Sequence, residues 1–218
     1  MSASAIAAIK HVIHEANHVK RGSVSERIVG ILYSGTKNRH ELIRILGINS
    51  RIAGREITRL VRKKILAECE EQGRKFYSLT QFGTYIYLCL ELDISLLMVK
   101  ILALAYHNFD VSATNNLSIN FPVTKPEVVE KVSVMGHLCS EETAWTRARE
   151  LASRGYGYVR NGCFILYPHS YQNLKIYEGI LQSLYSLLCE IPGRVVLLLL
   201  RDNKFRQRVE RLSSIMAH

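Results

Sequence analysis

Residues 38–79 constrain the fold more than any other stretch, because the spacing of apolar side chains changes there from a helical period to a strand period. Residues 39–46 and 49–64 carry apolar side chains three and four apart, and only Gly47 and Ile48 separate the two runs. Boundary signals agree with two helices. Asn38 is a good N-cap with Glu41 three residues on, a capping-box pattern, and Gly47 ends the first run. Asn49 or Ser50 caps the second. Residues 65–70 and 75–79 then read as two strands around Glu71-Gln72-Gly73-Arg74, a glycine-containing hairpin turn. Thr80 caps a further, strongly apolar helix that reaches Tyr106, with a break expected near Asp93.

The helix over 49–64 has two chemically different faces. Ile52, Ile57, Leu60 and Val61 are expected to face the core, while Arg51, Arg55, Thr58, Arg59 and Arg62 recur at three- and four-residue steps on the other side. A major groove about 12 Å wide admits one α-helix. Such a helix needs one face on its own domain and another rich in donors, and arginine is the side chain best shaped for bidentate contact with guanine or phosphate. A solvated surface helix would show the same stripe, so the neighbouring elements decide between the two readings. The spacing of 39–46, Gly47-Ile48 and 49–64 is that of a helix-turn-helix.

Two short runs extend this. Tyr77-Ser78-Leu79-Thr80-Gln81-Phe82-Gly83 resembles the Y-x-L-T-x-x-G pattern at the second wing strand of MarR-like and related winged-helix regulators. Lys63-Lys64-Ile65-Leu66 is similar to that family's K-K-G-L-I run, with Ile in place of Gly. The resemblance covers roughly residues 23–92. It implies that 49–64 is a recognition helix, that 72–75 is the tip of a wing lying on the DNA backbone or minor groove, and that Thr80 caps the helix that follows. The expected DNA contacts are Arg39, Ser50, Arg51, Arg55, Thr58, Arg59 and Arg62 from the helices, with Gln72, Arg74 and Lys75 from the wing. Glu70 and Glu71 stand beside them and would repel phosphate unless turned away.

Charge is distributed in the same sense. Of a formal net charge of +10, residues 1–79 hold a surplus of eight (fifteen Lys/Arg, seven Asp/Glu), and residues 80–218 a surplus of two (fourteen, twelve). A basic N-terminal third suggests a polyanionic partner for that part. The order helix, helix, hairpin, helix recurs in the second half. Asn161-Gly162 is the strongest short hairpin signal in the chain. Setting Asn49 against Ser140, a shift of 91 residues, places Ala53 on Ala144 and Leu60 on Leu151. In that register Arg51 becomes Glu142, Arg55 becomes Thr146, Arg59 becomes Glu150 and Arg62 becomes Ser153. The second unit is therefore expected to serve assembly, with Arg147, Arg149, Arg154 and Arg160 left as phosphate contacts at most.

The expected fold is mainly α with small β-hairpin wings, an α+β arrangement of two winged helix-turn-helix-like domains with additional dimerisation helices. Residues 1–107 form the first domain with leading and trailing helices. Residues 108–123, rich in Asn, Ser and Thr, form a linker, and 124–218 the second domain with its C-terminal helices, including one over about 194–216. The apolar stretches 85–106 and 195–200 exceed what small domains need for their cores, which argues for a homodimer and not for membrane spans, since charges interrupt the first and the second is short.

Other constellations weigh less. Five widely spaced cysteines without a C-x-x-C pair give no zinc-finger or disulfide framework. No basic region precedes the short apolar start, so no secretory signal is expected. His11, His14 and His18 share a helix face and are a weak metal candidate beside the plainer reading of an exposed helix. Several tyrosines fit core packing better than single-strand stacking, and Trp145 suits either a core or a partner contact. No phosphate-loop, nucleophile-elbow, zincin or dinucleotide motif is present, so neither enzymatic activity nor a cofactor is expected.

The function expected from the sequence is a double-stranded DNA-binding transcriptional regulator, homodimeric, cytoplasmic or nucleoid-associated, with a possible protein partner on its second domain. A replication, partition or chromosome-organising protein is the alternative on the same scaffold. A tandem winged-helix protein-interaction module is the alternative from another class.

Overall fold

The computed structural model describes residues 19–109, 121–123, 125–133 and 139–190. The histidine-bearing helix, the core of the expected linker, the 195–200 stretch and the last expected helix lie outside them. The described chain is mainly helical with two small antiparallel sheets, and it divides into two units between Ile94 and Ser95.

In the first unit, α1 (Val24–Tyr33) starts at the N-cap Ser23 and buries Ile28, Val29 and Leu32. A two-residue strand β1 (Lys37–Asn38) leads into α2 (Arg39–Leu46). Both halves of the expected capping box form, because the Asn38 side chain accepts from the Glu41 N–H while the Glu41 carboxylate accepts from the Asn38 N–H. Gly47 ends the helix, and α3 (Ser50–Arg62) starts from the Asn49 cap. Strands β2 (Leu66–Glu71) and β3 (Arg74–Leu79) follow, then α4 (Gln81–Glu91). The sheet order is β1-β3-β2. Pairing continues one step nearer the tip than the sequence suggests: Glu71 faces Arg74, and the loop is only Gln72-Gly73, both with positive φ (52° and 71°). That is the geometry of a type I′ turn, whose twist matches the strands it joins.

One junction ties α3, the hairpin and α4 together. Lys64 takes a left-handed φ of 59° and turns the chain out of α3. The Thr80 hydroxyl lies 2.6 Å from the Lys64 carbonyl and 3.1 Å from that of Ile65, and accepts from the Gly83 N–H at 2.9 Å. The Thr80 N–H also donates to the Ile65 carbonyl. Gly83 packs so closely that a Cβ there would overlap the Ile65 carbonyl oxygen. The Y-x-L-T-x-x-G run is thus a packing motif: the Thr caps α4 and the Gly lets α4 lie on the end of α3.

The second unit opens with α5 (Leu96–His107), capped by Ser95. This corrects the expected boundary at residue 107. The long apolar run breaks at Asp93, which has a φ of 55°, and α5 packs within the second unit against strand β6 and helices α6, α7 and α9. Those are α6 (Pro126–Val132), α7 (Glu141–Ser153), the hairpin β5 (Gly157–Arg160) and β6 (Cys163–Leu166), then α8 (Pro168–Leu174), a 3₁₀ turn and α9 (Glu178–Glu190). Lys175–Tyr177 is the 3₁₀ segment that separates α8 from α9.

Phe121–Pro122, assigned to the linker from sequence, is a strand, β4, paired with β6. The sheet order β4-β6-β5 repeats that of the first unit. Every residue of α5 from Met98 to Tyr106 is buried. Its apolar surface is consumed inside one chain, so residues 85–106 no longer argue for a dimer. Among the described residues no helix is long and apolar enough to cross a membrane.

The 91-residue register holds across the third helices. Both α3 and α7 have 13 residues, with caps at Asn49 and Ser140. Ala53 and Ala144, and Leu60 and Leu151, are fully buried. Lys64 and Gly155 both end the helix with left-handed φ, and Asn161-Gly162 makes the same positive-φ turn as Gln72-Gly73.

Substituting Gly83→Ala should destabilise the chain by about 1–3 kcal/mol by overpacking against the Ile65 carbonyl. Thr80→Ala should cost about 0.5–2 kcal/mol through the lost cap. Gly30→Ala, in mid-α1 with open space around it, should instead stabilise by about 0.5–1 kcal/mol. Urea unfolding followed by circular dichroism measures all three.

Candidate nucleic-acid interface

Helix α3 is held by Ala53, Ile57 and Leu60, all buried. At about 100° per residue these point one way, and Arg51, Arg55, Thr58 and Arg62 fall in an arc of about 60° centred opposite them. All four are exposed, and Arg55 most clearly so, with 76% of its side chain accessible. Thr58 donates its hydroxyl hydrogen to the Gly54 carbonyl at 2.9 Å. The outward face of α3 therefore presents three guanidinium groups to solvent, and the one carboxylate beside it is that of Glu56, 3.5 Å from the Arg55 Nε.

Arg59 belongs to a different structure from the one expected. Its guanidinium lies 2.8 Å from the Glu56 carboxylate and donates to the Ser25 hydroxyl, also at 2.8 Å. Ser25, fully buried on α1, donates in turn to Glu56 at 2.8 Å. The three side chains close a network between α1 and α3. Arg59 is thus a positioning residue, turned some 80° from Arg51 and toward α1. Ile52, expected in the core, is 42% exposed, since Ala53 occupies the inward position. Val61 is only half-buried.

Arg39 and Ser50, both among the expected DNA contacts, touch each other. The Arg39 guanidinium donates to the Ser50 carbonyl at 2.9 Å and lies 3.2 Å from its hydroxyl. It lies across Gly54, where a Cβ would come within 2.6 Å of it. A side chain at position 54 would have to displace the Arg39 guanidinium from this crossing. Arg27, which carried no sequence signal, donates to the Leu46 carbonyl at 2.7 Å and closes the end of α2 beside the turn into α3. Ser25, Glu56 and Arg27 were not legible as site residues because their partners are 19 to 34 positions away.

The wing departs from expectation. Gln72 sits at the tip, with Arg74 and Lys75 exposed beside it. Glu71 faces Arg74 and Glu70 faces Lys75 across the ladder. Directly opposed residues share a sheet face, so neither carboxylate is turned away from its cation. Lys75 also holds Glu68 at 2.6 Å. The hydrogen bond from Lys75 keeps the Glu68 carboxyl below its ordinary range, and the same bond raises Lys75. Three carboxylates stand against two cations in β2 and β3, so the wing is not the positive element the sequence suggests.

The equivalent outward face of α7 carries Glu142, Thr146, Arg149 and Ser153, all exposed, with no surplus of positive charge. Glu150 is taken up by Arg147 at 2.6 Å and Arg154 at 3.3 Å, and the Arg147 hydrogen bond lowers its carboxyl pKa. Trp145 is half-buried. Of the tyrosines weighed as stacking platforms, Tyr85 is fully buried, Tyr87 stacks on Tyr33, and Tyr106 stacks on Tyr171. Residues 19–94 hold fourteen Lys/Arg against eight Asp/Glu, whereas 95–190 hold eight of each. Among the described residues no group of His, Cys, Asp and Glu could hold a metal ion, and His11, His14 and His18 lie outside them.

The network and the outward stripe make separable predictions. Arg59→Ala should destabilise by about 1–3 kcal/mol, because it removes the shorter of the two cation contacts to Glu56 and the guanidinium donor to buried Ser25. Arg55→Ala should change stability by no more than about 0.5 kcal/mol. Thermal and urea unfolding of the two variants distinguish the roles.

Compared with protein-family models, curated proteins and solved structures, the chain matches none.

Proposed function

We propose that the chain is a sequence-specific double-stranded DNA-binding protein of the winged helix-turn-helix kind, acting as a transcriptional regulator, with α3 entering the major groove. The single observation that carries this reading is the outward stripe of α3: Arg51, Arg55 and Arg62 opposite the buried face, all exposed, with Arg55 76% accessible although its Nε lies 3.5 Å from the Glu56 carboxylate. Arginine on a groove-entering helix matches guanine O6 and N7 bidentately. Arg39, braced on Ser50, flanks the start of the helix where a phosphate would pass. The wing contributes less, and Gln72 and Arg74 at its tip are the residues left to approach the backbone.

In this reading the second unit is a further winged helix whose third helix has no surplus of positive charge on its outward face, and it serves assembly with a protein partner. Association of two copies is part of the proposal and rests on the apolar residues 195–200. Two copies would place two recognition helices about one helical turn apart. Sedimentation at micromolar concentration should give a dimer.

A second reading has one observation in its favour. The acidic excess of the wing suits a protein partner better than phosphate, so the same units would act as protein-interaction modules. Salt dependence separates the two. DNA binding through phosphate predicts that log K falls with log salt by about 0.9 per neutralised phosphate, and the protein-interaction reading predicts a shallow slope.

Selection from a random duplex pool should yield a defined site. On it, Arg51→Ala and Arg55→Ala should each lose about 1–3 kcal/mol. Arg149→Ala, on the outward face of α7 at the position that matches Thr58, should leave affinity unchanged. If specific binding survives the Arg51/Arg55 double change intact, α3 is the wrong helix. Replacing Glu70 and Glu71 with Gln should tighten duplex binding and steepen the salt slope by up to about 0.9 per freed cation.

A further inference from the structure

We propose that Ile52 is a specificity-determining residue that takes a thymine C5-methyl group in the bound duplex, next to bases read by Arg51 and Arg55. The inference rests on the DNA-binding reading above and deepens it. Four large hydrophobic side chains are exposed among the described residues: Tyr33, Ile45, Ile52 and Ile176. Tyr33 is accounted for by its stack on Tyr87. Ile52 alone lies on α3, and it is 42% exposed although the helix has its apolar anchor in Ala53, Ile57 and Leu60.

Local preference does not explain an isoleucine at this place. It is in the first turn of a helix that is otherwise polar on its open side, where a straight-chain polar residue would suit both helix propensity and water better. Position does explain it. Ile52 is about 60° round the axis from Arg55, one turn before Glu56 and two turns before Arg59. Those two residues are pinned to Ser25, so this side of α3 is held in place while Ile52 stays accessible. An apolar side chain is thereby fixed at the edge of an arginine face whose charge complements a polyanion.

In the major groove, thymine is the base that presents an apolar group, its 5-methyl, and guanine presents the acceptors that arginine fits. The pairing of Ile52 with Arg51 and Arg55 therefore suits a thymine beside a guanine. A methyl removed from such a contact should weaken binding roughly three- to tenfold, the worth of one buried CH₂ or slightly more.

The experiment uses the full chain and the duplex obtained by selection. Each thymine is replaced in turn by deoxyuridine, which lacks only the methyl, and affinities are measured for the wild type, Ile52→Val and Ile52→Ala at one salt concentration. One replacement should weaken the wild type roughly three- to tenfold. Ile52→Val should keep most of that sensitivity, and Ile52→Ala should lose it while binding unrelated duplex as the wild type does. Specific binding that is insensitive to every replacement overturns the methyl contact and leaves the DNA reading standing. Sensitivity that Ile52→Ala retains in full does the same. Absence of salt-sensitive duplex binding by the wild type overturns both. Should Ile52→Ala fail to fold by circular dichroism, Ile52→Thr takes its place: it keeps the branched shape with one methyl and should show an intermediate loss.

Discussion

The rotation of α3 about its own axis is set by two attachments, and what the first unit offers to a partner depends on it. Ala53, Ile57 and Leu60 hold one side of the helix in the core, and the Ser25–Glu56–Arg59 network fixes a second line of contact to α1. A buried hydroxyl between a carboxylate and a guanidinium is satisfied in only a narrow range of geometries, and leaving any member alone there is costly. The network therefore acts as an angular stop. With the helix held in this way, Arg51, Arg55 and Arg62 emerge directly opposite the core and Arg39 lies across Gly54 at its start.

The two units separate fold from function. They share strand order, helix length, cap position, buried Ala and Leu positions and the geometry of their hairpin turns. Those features lie in the core or in the backbone, where packing and φ leave few choices. On the outward face, where packing imposes nothing, the two diverge: three arginines on α3, and Glu142, Thr146, Arg149 and Ser153 on α7. The same scaffold can therefore present a cationic surface in one unit and a balanced one in the other, which is why function must be argued from the site and not from the topology.

The β2–β3 hairpin illustrates how a ladder changes the meaning of charges. In the chain, Arg74 and Lys75 look like free cations near two acidic residues. In the sheet, register puts each opposite a glutamate, and Lys75 reaches Glu68 as well. Exposed pairs of this kind contribute little stability. Their consequence is electrostatic: the positive charge of the β2–β3 hairpin is largely neutralised before any partner approaches.

Elements whose cause is local could be read from the sequence. The Asn38–Glu41 capping box, the Gly47 stop, the Thr80 cap, the break at Asp93 and the Asn161-Gly162 turn each depend on residues within about four positions, so their identities suffice. The stripe of Arg51, Arg55, Thr58 and Arg62 was legible for the same reason, since helical periodicity alone puts them on one side. Contacts between residues distant in sequence were not legible. Nothing near Arg59 in the chain reveals Ser25, 34 positions away. Nothing in the apolar run 85–106 shows that its second half joins the other unit, because hydrophobicity says that a segment is buried and not against what. The sequence by itself determined where the helices and the hairpin turn of residues 38–91 lie and which face of α3 is cationic. Only the tertiary structure decided which of those cations stay free, because that depends on pairings made by the folded chain across long sequence distances.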